Sequence, residues 1–215
     1  MIEVNPQTVN QIAKCLLQYE AVKIQIEKPF VWSSGWLSPI YCDNRRLLSF
    51  PEARKLIIQG FIDTIERDKI SFDGIIGVAT GAIAYGALLA DYYNVPFAYV
   101  RSSPKGHGLG NQVEGVIPPN KRYLLIEDLI STGGSSYKAM EAACAAGAII
   151  PKVYAIFTYD FLAAQQTFAT ASVTCLCDFQ HLLTVAAANG YFHESKIPNL
   201  LTWRSDPEKW EKEQQ

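Results

Sequence analysis

A chain of 215 residues fits one domain, or one domain with a small appendage. Hydrophobic residues make up 49% and charged residues 19%, which excludes a disordered chain, and a formal net charge of −2 gives no support for a nucleic-acid or anionic-membrane partner. Met1-Ile2-Glu3-Val4 shows no basic region leading into an apolar stretch, and no apolar run reaches the roughly 20 residues of a membrane span. A cytoplasmic protein is therefore expected. Five cysteines (Cys15, Cys42, Cys144, Cys175, Cys177) lack a disulfide-framework spacing, and most of them are expected to be buried small hydrophobes.

Along the chain, Val9, Ile12, Ala13, Leu16 and Leu17 recur at helical spacing, predicting a helix over 6–20 started by Asn5-Pro6. Val22, Ile24 and Ile26 alternate, predicting a strand over 22–32. Pro51 opens a second helix with Leu56, Ile57, Phe61 and Ile65 on its apolar stripe. From Asp73 the rhythm changes to short apolar runs at 74–78, 97–100, 123–126 and 152–157, separated by helical segments through Leu88 and over 135–146. A strand near 172–177, a helix over 179–188 and a polar tail with Trp203 and Trp210 complete the pattern. Continuous apolar strands alternating with helices predict an α/β fold, a mainly parallel twisted sheet covered by helices on both faces. One domain over 1–215 is expected, with the α/β core at 70–160 and an extra N-terminal piece.

The most informative segment is Leu124-Leu125-Ile126-Glu127-Asp128-Leu129-Ile130-Ser131-Thr132-Gly133-Gly134-Ser135-Ser136. A buried strand leads into two acids and then into a glycine- and hydroxyl-rich turn before a helix. Ligands in open α/β sheets bind at the carboxyl ends of strands, so the turn lies where a site belongs. Gly133 and Gly134 let backbone approach an anion, and the helix start supplies unpaired N–H groups. The two carboxylates would repel a phosphate unless ribose hydroxyls or a ligand-bound metal employ them. A dinucleotide turn is absent, and the position where a Walker loop needs lysine holds Ser135.

This segment resembles the phosphoribosyl pyrophosphate motif of type I phosphoribosyltransferases. The resemblance implies that fold, with a small hood formed mainly by the N-terminal segment (1–48). It implies that Glu127 and Asp128 hold ribose hydroxyls, and that Leu129, Ile130 and the loop Ser131, Thr132, Gly133, Gly134 and Ser135 bind the donor around its 5′-phosphate. Gly77-Val78-Ala79-Thr80-Gly81 resembles the family's pyrophosphate loop, which adds Thr80 and Gly81.

Two further segments are similar to the orotate phosphoribosyltransferases in particular. Arg101-Ser102-Ser103-Pro104-Lys105-Gly106-His107-Gly108 is rich in glycine and cations, a composition suited to a loop closing over a charged leaving group. It resembles their catalytic loop, implying catalytic Lys105, His107 and Arg101, a homodimer, and delivery of loop 101–112 across subunits. Ser102 stands where many members have lysine. Ser33-Ser34-Gly35-Trp36-Leu37-Ser38-Pro39-Ile40-Tyr41-Cys42-Asp43-Asn44-Arg45 resembles their base-binding signature. Orotate contacts from Ser33, Ser34, Gly35, Ile40, Tyr41 and Ser131 are implied, with Mg²⁺ held mainly through phosphoribosyl pyrophosphate. The arginine that holds the orotate carboxylate in some members has no counterpart after 152–157, where Tyr159-Asp160 stands. The implied activity is transfer of phosphoribose to orotate in pyrimidine (UMP) biosynthesis. Transfer to another base, or a non-catalytic phosphoribosyl-binding regulator, are the alternatives.

Overall fold

The computed structural model describes residues 4–32, 35–101 and 112–213. Helix α1 (Pro6–Gln18) is capped by the Asn5 side chain, which accepts from the Gln7 amide at 2.9 Å, and it buries Ile12, Leu16 and Leu17. The strand expected over 22–32 is two pieces instead. β1 (Val22–Ile24) and β2 (Phe30–Val31) are separated by Glu27, Lys28 and Pro29, which break the apolar alternation. β2 forms a hairpin with β3 (Leu37–Ser38), while β1 pairs antiparallel with β4 (Ile40–Cys42). These two small two-stranded sheets make the hood.

A 3-10 helix (Asn44–Ser49) and α2 (Pro51–Asp68) lead into the core. There β5 (Gly74–Val78), α3 (Ile83–Tyr93), β6 (Phe97–Val100), β7 (Val113–Glu114), β8 (Lys121–Ile130), α4 (Gly134–Ala145), β9 (Ala148–Thr158), α5 (Leu162–Thr167), β10 (Val173–Asp178) and α6 (Phe179–Ala188) follow. The sheet order is β10-β9-β8-β5-β6-β7, parallel except for β7. Apolar clusters lie on both faces, as an internal parallel sheet requires. β8 runs past the expected 123–126 and carries Glu127 and Asp128 on the strand itself, paired with β9 as far as Ile130 opposite Thr158. β9 also begins earlier than its apolar run, and a register shift opposite Arg122 and Leu124 accommodates Pro151.

The expected polar tail is two helices, α7 (Ile197–Ser205) and α8 (Pro207–Glu213), with Trp203 and Trp210 both buried. The Trp203 Nε1–H donates to the Leu37 carbonyl at 3.0 Å, and the Trp210 Nε1–H donates to Asn199 Oδ1 at 2.7 Å. The tail therefore closes onto the hood hairpin. Lys152, inside an apolar-looking strand, is buried and pairs with Asp68 at 3.0 Å; Asp68 also accepts from the Tyr154 hydroxyl. Among the cysteines, Cys15 and Cys177 are buried, Cys42 and Cys175 half-buried and Cys144 exposed on α4; all five are free. Among the described residues, no helix is long and apolar enough to cross a membrane.

Candidate active site

The carboxyl ends of β5 and β8 open into a cleft of about 710 Å³. Its floor is Glu127 and Asp128, which alternate along β8 and so leave the strand toward opposite faces. Glu127 is only 5% exposed. Its Oε2 accepts from the Ser136 hydroxyl at 2.7 Å, and its Oε1 accepts from the Asp128 amide at 2.9 Å. Burial, and then the neighbouring Asp128 charge, push the Glu127 carboxyl well above the usual carboxylate range. Burial raises Asp128 as well. Two adjacent acids that resist ionisation form a site prepared for hydrogen-bond donors or positive charge.

Asp128 is held from two sides. The Asn44 side-chain amide donates to its backbone carbonyl at 2.6 Å, and the Tyr85 hydroxyl in turn donates to the Asn44 carbonyl at 3.1 Å. Its carboxylate lies against Gly81, where any β-carbon would collide with it. Glycine at 81 is thus a spatial requirement of the acid opposite. Thr80 and Gly81 both line the cleft, and the Ala79–Thr80 peptide is cis.

The opposite wall is the turn Ser131, Thr132, Gly133, Gly134 and Ser135, which enters α4. Gly133 has φ 85°, a left-handed conformation that turns the strand into the helix, and a β-carbon there would press on Phe168 at 3.1 Å. The first amides of α4 have no carbonyl partner within the helix, so they and the hydroxyls face the same space. Leu129 lines the cleft too, while Ile130 is buried and its carbonyl accepts from the Tyr159 amide at 3.2 Å. This geometry suits a sugar phosphate: acids for ribose hydroxyls, amides and hydroxyls for the phosphate.

Several cleft residues were not among the expected contacts. Cys42, Asp43 and Arg45 reach it from the end of β4 and the 3-10 helix after it, Lys138 from α4 and Gln112 from the base of the loop. Arg45 Nε donates to Asp43 Oδ1 at 2.6 Å and holds that carboxyl below its ordinary range. Asp43 and Arg45 belong to the base-binding signature itself, so the signal was present; Lys138 has only its helical position as a clue. Arg101 lines the cleft, its amide donates to the Gln112 carbonyl, and the Gln112 side chain donates back to the Arg101 carbonyl, clamping the two feet of the loop together. Lys105 and His107 lie outside the described residues, as do Ser33 and Ser34. Gly35 sits at the hairpin turn with φ 90°. Ile40 is buried, its carbonyl accepting from Trp32 Nε1 and Ser38 Oγ, and Tyr41 is exposed beside Phe30; neither side chain lines the cleft, although the adjacent Cys42 does. Among the described residues, no three acidic, imidazole or thiol groups converge as a metal cage. Asp43 and Asp128 do share the cleft, an arrangement compatible with a cation carried mainly by a ligand's own oxygens.

The fold and the cleft together describe a phosphoribosyl-binding α/β enzyme, and the profile of the phosphoribosyl transferase domain matches residues 46–156. The chain is 45% identical over 204 residues to the orotate phosphoribosyltransferase of Cytophaga hutchinsonii, covering 94% of this chain and 98% of that protein. Among solved structures, the orotate phosphoribosyltransferase of Aeropyrum pernix is 28% identical, with a TM-score of 0.72 over 84% of this chain and 99% of that one. Leishmania donovani UMP synthase is similar in fold, with a TM-score of 0.76 at 22% identity over 91% of this chain; only 42% of that longer protein is covered. The chain belongs to the orotate phosphoribosyltransferase family.

The buried acid pair makes a prediction about stability. A carboxyl whose folded-state affinity for protons is raised stabilises the fold at low pH, and that contribution is lost as pH rises through the folded pKa. Glu127→Gln keeps an oxygen for the Asp128 amide and an amide for Ser136 Oγ, and it removes the charge. Thermal unfolding of the ligand-free variant is expected to be higher than wild type at pH 8, by about 2 °C or more, and nearly equal to it at pH 4.5. A variant less stable than wild type at pH 8 would contradict the burial argument.

Proposed function

We propose that this chain transfers the 5-phosphoribosyl group of phosphoribosyl pyrophosphate to N1 of orotate, forming orotidine 5′-monophosphate and pyrophosphate. The observation that carries this reading is the convergence of Glu127 and Asp128 with the Ser131–Ser135 turn in one cleft. Similarity to named orotate phosphoribosyltransferases over nearly the full chain supports the choice of base.

In this reading, Glu127 and Asp128 accept hydrogen bonds from the ribose hydroxyls. The Ser131–Ser135 turn and the amides of α4 hold the 5′-phosphate. Thr80 and Gly81 accommodate the pyrophosphate. The bond from C1 to the pyrophosphate oxygen breaks ahead of C1–N1 bond formation, and its electron pair leaves with the pyrophosphate. Orotate N1 then attacks, so no side-chain nucleophile is required. Lys105 and Arg101 neutralise the departing charge, with Arg45 and Lys138 adding positive charge from within the described cleft. His107 offers the leaving group a hydrogen bond or a proton. Bound Mg²⁺ would add charge neutralisation on the substrate's oxygens, beside Asp128 and Asp43. Ser33, Ser34, Gly35, Ile40, Tyr41 and Ser131 form the orotate end. The partners are orotate, phosphoribosyl pyrophosphate and a second copy of the chain that exchanges loop 101–112. A cytoplasmic location fits the five free thiols.

A consumption assay with phosphoribosyl pyrophosphate, Mg²⁺ and each of orotate, uracil, hypoxanthine and adenine tests the substrate. Orotate alone is expected to disappear. Use of another base in preference to orotate would replace the acceptor, and use of none would favour a binding-only regulator. Lys105→Ala is expected to lower kcat by about a hundredfold or more, with both KM values changing much less, because the loop acts on charge developing in the transition state. An unchanged kcat would remove Lys105 from the chemistry. Mixing Lys105→Ala with Asp128→Asn chains tests exchange of the loop. Each alone should be nearly inactive, and the mixture should recover about a quarter of wild-type activity if random pairing puts one intact composite site in half of the dimers. No recovery would place each loop over its own cleft.

A further inference from the structure

The hood hairpin is too short to hold its own position. β2 and β3 pair through two residues each, Phe30 with Ser38 and Val31 with Leu37. A two-stranded hairpin is marginal even at greater length, so its placement must come from what it docks on. The structure shows what that is. The Leu37 carbonyl accepts from the indole N–H of Trp203, a residue 166 positions away on α7. Trp203 is 0% exposed, so losing that donor would leave a carbonyl facing an apolar ring.

The same ring connects the hairpin to the donor half of the site. Trp32 leads into the turn and meets Trp203 edge-on at 5.7 Å, and it lies 5.1 Å from Tyr159. Tyr159 and Phe161 each contact Trp203 as well, at 5.9 and 5.5 Å. The Tyr159 amide donates to the carbonyl of Ile130, the residue directly before Ser131 of the phosphate turn. On the hairpin side, the Trp32 amide donates to Trp36 O, and the Gly35 amide donates to Trp32 O, so the turn is built on Trp32 itself. An unbroken path thus runs from the turn through Trp203 to the end of β8. The other buried indole of the tail, Trp210, spends its N–H on Asn199 within the tail.

We infer that Trp203 is a positioning residue for the acceptor base: its indole N–H on Leu37 sets the β2–β3 hairpin relative to the phosphate turn, and thereby sets orotate affinity without touching orotate or the donor. This rests on the reading that residues 33–41 form the orotate end of the site.

The test is steady-state kinetics of Trp203→Phe, which keeps an aromatic ring in the cluster and removes the donor. The orotate KM is expected to rise on the order of tenfold, with the KM for phosphoribosyl pyrophosphate within about twofold of wild type. Replacing Trp203 by benzothienylalanine, which keeps the shape and carries sulfur in place of N–H, guards against loss of packing and should give the same split. Equal movement of both KM values, or no movement, would overturn the inference. Gly35→Ala separates this failure from failure of the underlying reading. If Gly35→Ala raises the orotate KM and the Trp203 variants do not, the turn binds orotate but the tail does not position it. If none of them moves it, the turn is not the orotate site and both statements fall.

Discussion

Two consecutive acids at the end of a buried strand are the constraint on which this molecule depends. Glu127 and Asp128 cannot both be ionised comfortably where they stand, and the surrounding structure relieves only part of the cost. Ser136 and a backbone amide satisfy Glu127, and Asn44 fixes the main chain of Asp128. The missing side chain at Gly81 makes room for the Asp128 carboxylate. What the fold leaves unmet, hydrogen-bond donors and positive charge, is what a ribose diol with a ligand-borne cation supplies. A site strained in this way exchanges stability for affinity, as catalytic centres commonly do.

Around that pair, the cleft divides by origin. One side, where we propose the phosphoribosyl donor sits, comes from the ends of β5 and β8 and the start of α4, elements locked together by the parallel sheet. Cys42, Asp43 and Arg45 come from the end of β4 and the start of the following 3-10 helix, and the hood beside them consists of two small sheets with few bonds of their own. Rigidity on one side and borrowed support on the other suit an enzyme that holds a multiply charged donor firmly and admits a flat acceptor. The C-terminal helices are then part of the site's scaffold, although they contribute no residue to the cleft lining.

How much of this was legible in the sequence follows from how local each feature is. The order of apolar residues, acids, glycines and hydroxyls from Leu124 to Ser136 is contiguous, and it makes the fold and the position of the cleft legible. Tertiary facts were less visible. The Asn44–Asp128 bond joins residues 84 apart, and Trp203 reaches Leu37 across 166. The pattern of 197–210 is largely polar, so the burial of Leu200, Trp203 and Trp210 is not evident from it. The strand expected over 22–32 failed at Glu27-Lys28-Pro29, where a local signal was present and outweighed by the alternation before it. Lys152 stands in an otherwise apolar run, and its burial is explained by Asp68 at the end of α2 and by the Tyr154 ring beneath it. Arg45 and Lys138 required the three-dimensional cleft to be recognised as its cations.

The central claim, that burial raises the proton affinity of the Glu127–Asp128 pair and that the proposed phosphoribosyl donor lowers it on binding, is tested most directly by proton counting. Calorimetric titration with phosphoribosyl pyrophosphate and Mg²⁺ near pH 6, in two buffers of different ionisation enthalpy, gives the protons released per site. Hydrogen bonds to the charged form lower a carboxyl pKa, so binding should release protons, and the release should shrink as pH rises and in Glu127→Gln. Release equal in wild type and Glu127→Gln, or net proton uptake by the wild type relative to that variant, would contradict the account.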